Sequence, residues 1–190
     1  MRPAGRIHRY TYADYVALEL ESPTKHEFLD GEIYAMAGGS EEHSALTAAV
    51  LRALGNAVGD RRCRVHTSDL RIYVESVGLA TFPDGSVICG TLAQHAPSPA
   101  ATALNPTGLL EVTSDSSEEY DTGAKVDYYR TIPALRDYIL VSHRERRITV
   151  HSRGEQGWMV RTATTGGRVD VPSLDTQLAV DEVYRGSAIP

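Results

Sequence analysis

Lysine is scarce in this sequence, and long hydrophobic runs are absent. Lys25 and Lys125 are the only lysines among 190 residues, so arginine supplies nearly all of the fixed positive charge. A membrane-spanning helix needs about 20 consecutive apolar residues, and no segment approaches that length. The N-terminal residues also lack the apolar core of a signal peptide. These absences predict a cytoplasmic protein that has no membrane segment.

The sequence contains only two cysteines, Cys63 and Cys89. Both lie in apolar, strand-like segments, and their spacing matches no common metal-binding pattern. Disulfides are rare in reducing compartments, where buried cysteines normally stay as free thiols. We therefore expect two buried free thiols in a reducing cytosol rather than a disulfide or a zinc site.

The net charge is −6 and the isoelectric point is near 5.6, which is unusual for a protein that binds a nucleic-acid duplex. A cation bound by acidic side chains would cancel part of that charge. The basic residues form two short islands, for which solvated surface charge is the simpler interpretation. These islands are Arg61, Arg62 and Arg64, and Arg144, Arg146 and Arg147. No helix-turn-helix, zinc finger or aromatic stacking platform is recognisable, so no target sequence is inferred.

The hydrophobic content of 42% is sufficient for one sizeable core, and we expect a single domain over residues 1–190. Thr11 is a suitable N-cap for a helix that runs to Glu21. Asp30-Gly31 lies between two apolar runs, as in a two-residue hairpin loop with positive φ. Ser40 is a suitable cap for a longer helix that ends at Gly59.

The middle of the chain is predicted to be rich in strands. Leu109 to Val112 are apolar at consecutive positions, except for Glu111, which fits a strand buried on both faces. Gly90 to Asn105 is rich in Ala, Pro and Ser, and predicts an exposed loop that covers the substrate as a lid. Asp121 is a suitable cap for the next helix. Further segments are predicted as strands (64–66, 70–74, 86–89, 136–141 and 147–152), as hairpins around 154–161 and 165–169, and as a closing helix (178–184).

Three residues in this region suggest metal-dependent hydrolysis. Asp84 lies beside a predicted strand, Glu111 lies inside the next apolar strand, and Lys125 lies in the following helix. Two carboxylates can hold a hard divalent cation, and a lysine can orient water and offset charge on a phosphate. Taken alone, Asp84 is more typical of a turn, and Glu111 could form a buried ion pair with a basic partner.

The order of several motifs resembles a known family. The motifs are Glu27-Phe28-Leu29-Asp30-Gly31-Glu32-Ile33, Pro83-Asp84-Gly85-Ser86-Val87-Ile88-Cys89, Leu110-Glu111-Val112-Thr113-Ser114, and then Asp121, Lys125, Tyr129, Pro133 and Asp137-Tyr138-Ile139-Leu140-Val141. From about Tyr10 to Tyr184 the chain resembles the Uma-two family ("putative restriction endonuclease"), a bacterial branch of the PD-(D/E)XK nuclease superfamily. The resemblance implies an α/β (α+β) fold, with a restriction-endonuclease-like mixed β-sheet flanked by helices and additional β-hairpins.

The resemblance also implies an activity and a site. We expect an endonuclease that hydrolyses DNA with Mg²⁺ or Mn²⁺ held by Asp84, Glu111 and the backbone carbonyl of Val112. Lys125 would orient the water. The superfamily's lysine usually lies two residues after the glutamate, where this chain has Thr113, so the lysine has migrated to the next helix. Additional candidates are Glu27, His43, Asp69 and Asp121.

Several alternatives remain open at this level. Lys125 could simply pair with Asp121 at i, i+4, and Glu27 could be a cross-strand surface charge. The protein could be an inactive nuclease-fold module that binds DNA or a protein. It could also be a metal-dependent hydrolase of a smaller phosphorylated substrate, which would better tolerate the acidic charge. By analogy with enzymes that cut both strands, a two-fold homodimer is expected.

Overall fold

The computed structural model describes residues 9–59, 61–95 and 101–190. The fold is α+β, with mixed sheets flanked by helices, as predicted. The helices are α1 (Tyr12–Glu21), α2 (Glu41–Val58), α3 (Glu118–Thr122), α4 (Ala124–Arg130) and α5 (Val180–Val183). The strands are β1 (His26–Leu29), β2 (Glu32–Ala35), β3 (Cys63–Thr67), β4 (Arg71–Val74), β5 (Leu79–Thr81), β6 (Gly85–Cys89), β7 (Thr102–Ala103), β8 (Gly108–Val112), β9 (Asp137–Val141), β10 (Arg147–Gly154), β11 (Gly157–Thr164), β12 (Arg168–Val171) and β13 (Thr176–Ala179).

The largest sheet has six strands in the order β11-β10-β9-β8-β6-β3. Only β8 and β9 are parallel in it, and the other neighbours are antiparallel. A second sheet has the order β2-β1-β5-β4-β7, and β12 pairs with β13 in a small separate ribbon. Strand β8 is therefore central, with β6 on one side and β9 on the other.

Local sequence signals account for the N-terminal elements. Thr11 caps α1 with a capping box that includes Asp14, and Ser40 caps α2 through the backbone N–H of His43. Asp30 and Gly31 both have positive φ in the loop between β1 and β2, as this hairpin type requires. The predicted boundaries of both helices and of this hairpin are confirmed.

Every residue of β8 is buried, and alternate side chains face two different layers. Leu110 and Val112 pack in a core with the apolar residues of α2, which include Leu46 and Val50. Leu109 faces the opposite core, which contains Tyr129 of α4. Because side chains alternate along a strand, Glu111 lies on the same face as Leu109. The predicted strand with two buried faces is confirmed.

Some predicted elements differ from the structure. Helix α3 begins at Glu118 after Ser117, so Asp121 lies inside a helix and is not its cap. Gly123 then separates α3 from α4, because its φ of −111° and ψ of −105° do not continue a helix. Strand β5 was not predicted. After the turn at 165–167, β12 pairs with β13 and not with β11, so that segment is not a hairpin.

The predicted lid over 90–105 is only partly described. Residues 96–100 lie outside the described residues. Thr102 and Ala103 form strand β7, which pairs in parallel with β4 and is fully buried. The end of this segment is thus part of a sheet and not an exposed loop.

The prediction of free thiols is wrong. Cys63 and Cys89 are joined by a disulfide between β3 and β6. The two residues are direct partners in the antiparallel register, which places their side chains on the same face of the sheet. The disulfide removes the cysteine argument for a reducing compartment, so the cytoplasmic location stays a prediction. Within the described part of the chain, no helix is long and apolar enough to cross a membrane.

Candidate active site

Strand register brings Asp84 and Glu111 together. Gly85 of β6 pairs with Leu110 of β8, so Asp84 lies opposite Glu111 one step beyond the paired residues. The contact is direct at both ends: the Asp84 N–H donates to Glu111 Oε2 at 3.3 Å, and the Val112 N–H donates to Asp84 Oδ2 at 2.7 Å. The two predicted acids therefore share one end of the β6-β8 pair.

Glu111 is buried among polar partners. Its Oε1 accepts a hydrogen bond from the Tyr129 hydroxyl at 2.8 Å and lies 2.8 Å from Lys125 Nζ. Burial raises the pKa of Glu111 to about 8, and the Asp121 and Asp84 carboxylates act in the same direction, whereas Lys125 opposes them. The site thus holds more negative charge than its single lysine balances.

Lys125 lies between two carboxylates. Its Nζ is 2.8 Å from Glu111 Oε1 and 3.1 Å from Asp121 Oδ1, and only 6% of its side chain is exposed. Burial alone would lower the pKa of Lys125, but the surrounding Glu111, Asp121 and Glu27 carboxylates raise it well above its ordinary value. The side chain is therefore a fixed ammonium. Lys125 forms the i, i+4 pair with Asp121, and it is also the basic partner of the buried Glu111.

The solvent-facing side of the site contains Asp84 and His43. Each of these side chains is 19% exposed, compared with 6% for Glu111. His43 Nε2 lies 3.1 Å from Asp84 Oδ2, and the imidazole also donates to the Val112 carbonyl. The hydrogen bond to Asp84 raises the pKa of His43 despite partial burial. Helix α2 thus contributes to the site from its first turn.

The chemistry of these side chains bears on whether they could hold a cation. No group of three His, Cys, Asp or Glu side chains in the described ranges is arranged to hold a metal ion. The donor chemistry nevertheless fits a hard divalent cation, because two carboxylates and a strand carbonyl meet where negative charge exceeds positive charge. Glu111 is the side chain that has to move, since Lys125 and Tyr129 hold its Oε1.

Other sequence candidates occupy different positions. Glu27 of β1 is buried and accepts a hydrogen bond from Tyr120, so it lies beside Lys125 as part of this site and is not a surface charge. Asp69 is largely exposed and pairs with Lys25. Its recorded contacts are with Lys25 and Thr67, and it lies outside the cluster around Glu111.

The arginine islands mostly serve local structure. Arg61 donates to the Leu174 carbonyl and pairs with Asp175, and Arg146 donates to the carbonyls of Ile189 and Ser187. A further pair joins Arg147 to Glu145, and Arg144 pairs with two acids, Asp115 and Glu118. These contacts favour the simple interpretation of surface charge at turns for most of both islands.

Tyrosines around the carboxylates were missed as site residues. Tyr129 donates to Glu111, Tyr120 donates to Glu27, and Tyr138 donates to the Asp121 carbonyl. In the sequence, Tyr129 stands out only as part of the family motif. A signal was present in its spacing, because it lies one helical turn after Lys125 and therefore on the same helix face.

The fold and the site geometry define a restriction-endonuclease-like protein. The family model described as "Uma2: Putative restriction endonuclease" matches residues 12–181, which is most of the chain. The chain therefore belongs to the Uma2 family. The family assignment made from the motif order is confirmed.

Relatives and a solved structure agree with this assignment. The chain is 32% identical over 187 residues to the uncharacterized protein slr1290 of Synechocystis, covering 98% of this chain and 97% of the relative. It is 31% identical over 151 residues to sll1609 of the same organism, covering 79% and 85%. A crystal structure of a "putative nuclease belonging to DUF820" from Anabaena variabilis matches with a TM-score of 0.69 at 19% identity, covering 90% of this chain and 97% of that chain. The structural likeness confirms the predicted fold.

Proposed function

We propose that this protein is an endonuclease that hydrolyses DNA phosphodiester bonds with Mg²⁺ or Mn²⁺. The observation that carries the proposal is the convergence of Asp84, Glu111 and Lys125 at one end of the β6-β8 pair. The carboxylates of Asp84, Glu111 and Asp121 outnumber the single ammonium of Lys125, which favours a divalent cation there. Membership of a family described as "Putative restriction endonuclease", and a fold shared with a protein described as a "putative nuclease", support the same activity.

Each residue then has a role. Asp84, Glu111 and the Val112 carbonyl would hold the cation, and Val112 also fixes Asp84 through its N–H. When bound, the cation would lower the pKa of a water and stabilise charge on the phosphate. Lys125 stays protonated, so it acts as a hydrogen-bond donor that orients water and offsets phosphate charge, and not as a proton acceptor. Tyr129 and Asp121 position Glu111 and Lys125 respectively.

The test is cleavage of supercoiled plasmid with Mn²⁺ or Mg²⁺. Wild type should nick the plasmid, and Glu111→Ala should abolish nicking because a direct ligand is lost. Lys125→Ala should slow nicking by on the order of a hundred- to a thousand-fold, as expected for a preorganised electrostatic group. Asp69→Asn is the matched control, because this acid lies outside the site, and it should cleave like wild type. Nicking that survives Glu111→Ala would contradict the assignment.

A second candidate is a nuclease-fold module that binds DNA without cutting it. This function is favoured by the burial of Lys125 and Glu111, because only 6% of each side chain is exposed to solvent. A phosphate can reach Lys125 only if these side chains rearrange. If wild type fails to cut every substrate with every metal, but binds long DNA with an affinity that falls steeply with salt, the non-catalytic function is correct.

A further inference from the structure

The position of His43 bears on which cation the site takes. The imidazole projects from the first turn of α2 and contacts two of the three groups proposed as ligands, Asp84 and the Val112 carbonyl. It lies on the more exposed side of the cluster, where an ion enters from solvent. The inference developed below rests on the proposed function, because it concerns the same site.

The spacing of these atoms suits coordination. In an octahedral site with bonds near 2.1 Å, neighbouring ligand atoms are about 3 Å apart. His43 Nε2 and Asp84 Oδ2 are hydrogen-bonded at 3.1 Å, and adjacent ligands on one ion have a similar separation. Both atoms could bind a common cation with little movement, whereas Glu111 has to turn away from Lys125.

The backbone beside His43 holds the ring in place. A Cβ added at Gly39 would lie only 2.5 Å from His43 Nδ1, so any other residue there would push the ring away. The His43 backbone N–H is held by the Ser40 cap. Ligands that are fixed before the metal binds are typical of a built site.

The oxygen donors around Asp84 are already partly used. Asp84 Oδ2 accepts from the Val112 N–H, and Glu111 Oε1 is shared by Lys125 and Tyr129. A cation that depends on Asp84 and Glu111 alone would gain few protein ligands. A nitrogen from His43 supplies a third side chain.

We propose that His43 Nε2 is a direct ligand of the catalytic cation, and that the site therefore prefers a first-row transition-metal ion to Mg²⁺. Imidazole nitrogen suits transition metals, whereas Mg²⁺ favours oxygen ligands and keeps several waters. His43 is thus a specificity-determining residue for the metal.

The experiment uses Mn²⁺ bound to the full chain, without DNA. Pulsed electron paramagnetic resonance should detect coupling between Mn²⁺ and a histidine nitrogen in wild type, and His43→Gln should lose this coupling. Glutamine can still donate a hydrogen bond to Asp84 or Val112, so a purely structural role of His43 would survive the substitution. His151→Gln is the control, because His151 contacts Arg130 and Tyr138, outside the cluster. It should keep the coupling.

Affinity gives a second readout. By calorimetry, His43→Gln should bind Mn²⁺ at least on the order of tenfold more weakly, while Mg²⁺ affinity measured by competition should change less. If Mn²⁺ binds wild type and is lost in Glu111→Ala, but no nitrogen coupling is seen and His43→Gln binds equally well, only the role of His43 is overturned. If wild type binds no Mn²⁺, the proposed function fails together with it.

Discussion

Two groups of ion pairs lie near the end of β8, and they differ in burial. The buried cluster consists of Glu111, Asp121 and Lys125, whose side chains are at most 6% exposed. The surface cluster, formed by Asp115, Glu118 and Arg144, has side chains that are 27% to 86% exposed. In both clusters one basic side chain lies between two acidic side chains. The clusters are therefore chemically similar and differ in their exposure to solvent.

The difference in solvent decides what each cluster can do. Water and salt screen the surface pairs, so such pairs contribute little to stability. In the buried cluster, charges that lack a partner cannot be solvated, and the excess of carboxylate persists. Burial is the main cause of the raised pKa of Glu111, and the Asp121 and Asp84 carboxylates raise it further. We expect the stability of the protein to be sensitive to substitution and to cations at the buried cluster, and to be much less sensitive to both at the surface cluster.

The largest effect on stability is expected when the basic side chain of each cluster is replaced in a separate variant. Lys125→Met should lower the free energy of unfolding by about 3–5 kcal/mol in EDTA, because it leaves Glu111 and Asp121 buried without their ammonium. Arg144→Met should leave it unchanged, because its acids stay in contact with water. Urea denaturation measures both. Equal losses in the two variants would mean that burial does not distinguish the clusters.

A smaller effect is expected from a single buried hydroxyl. Tyr129→Phe removes the donor to Glu111 Oε1, and should cost about 1–3 kcal/mol because the carboxylate loses a partner that water cannot replace. The neighbouring Tyr128→Phe is the control, since Tyr128 is only partly buried and contacts Tyr120 at its ring. Urea denaturation should separate the two variants. A Tyr129→Phe protein as stable as wild type would show that Lys125 alone satisfies Glu111.

The pH dependence should reveal the same carboxyl. The pKa of Glu111 is about 8 in the folded protein, above its ordinary 4.5, so the folded state binds an extra proton between these values. Its contribution to stability without metal is therefore full below about pH 4.5 and is lost as the pH rises through 8.

Metal binding should show the opposite trend. A ligand carboxyl has to lose its proton, so Mn²⁺ affinity should rise by at least about tenfold, or about 1.4 kcal/mol, for each pH unit up to pH 8 and then level off. The rise should be steeper at the pH values where His43 also has to lose a proton. Melting temperatures with and without Mn²⁺ from pH 6 to 9 measure this, with Glu111→Gln as the control. A Mn²⁺-induced shift that does not change with pH would argue that Glu111 is not a ligand.

Local signals explain which parts of this fold were predictable. The Asp30-Gly31 loop and the caps Thr11 and Ser40 depend on residues within a few positions of one another, and the structure has them as predicted. The proximity of Asp84 and Glu111 was also expected, because both acids were predicted to hold one cation, and the pairing of β6 with β8 brings them together. Their catalytic roles stay predictions.

The remaining features depend on contacts that are distant in sequence. The Cys63–Cys89 disulfide arises from the register of β3 against β6, which no short motif specifies. The contact of His43 with Asp84 depends on how α2 docks beside the sheet. Asp121 differs from these two cases, because its i, i+4 pair with Lys125 was an open alternative in the sequence, and the structure has that pair in place of the predicted helix cap.

The most direct test of the cation site is a crystal soaked in Mn²⁺ and measured for anomalous scattering. The account predicts a peak within about 2.5 Å of carboxylate oxygens from both Asp84 and Glu111, with Lys125 released from Glu111 and turned toward the ion's water. The peak should be absent from Glu111→Ala crystals soaked in the same way. If wild-type crystals show no peak at this position at any Mn²⁺ concentration, or if Asp84 and Glu111 bind separate ions, the buried carboxylates do not form a shared cation site.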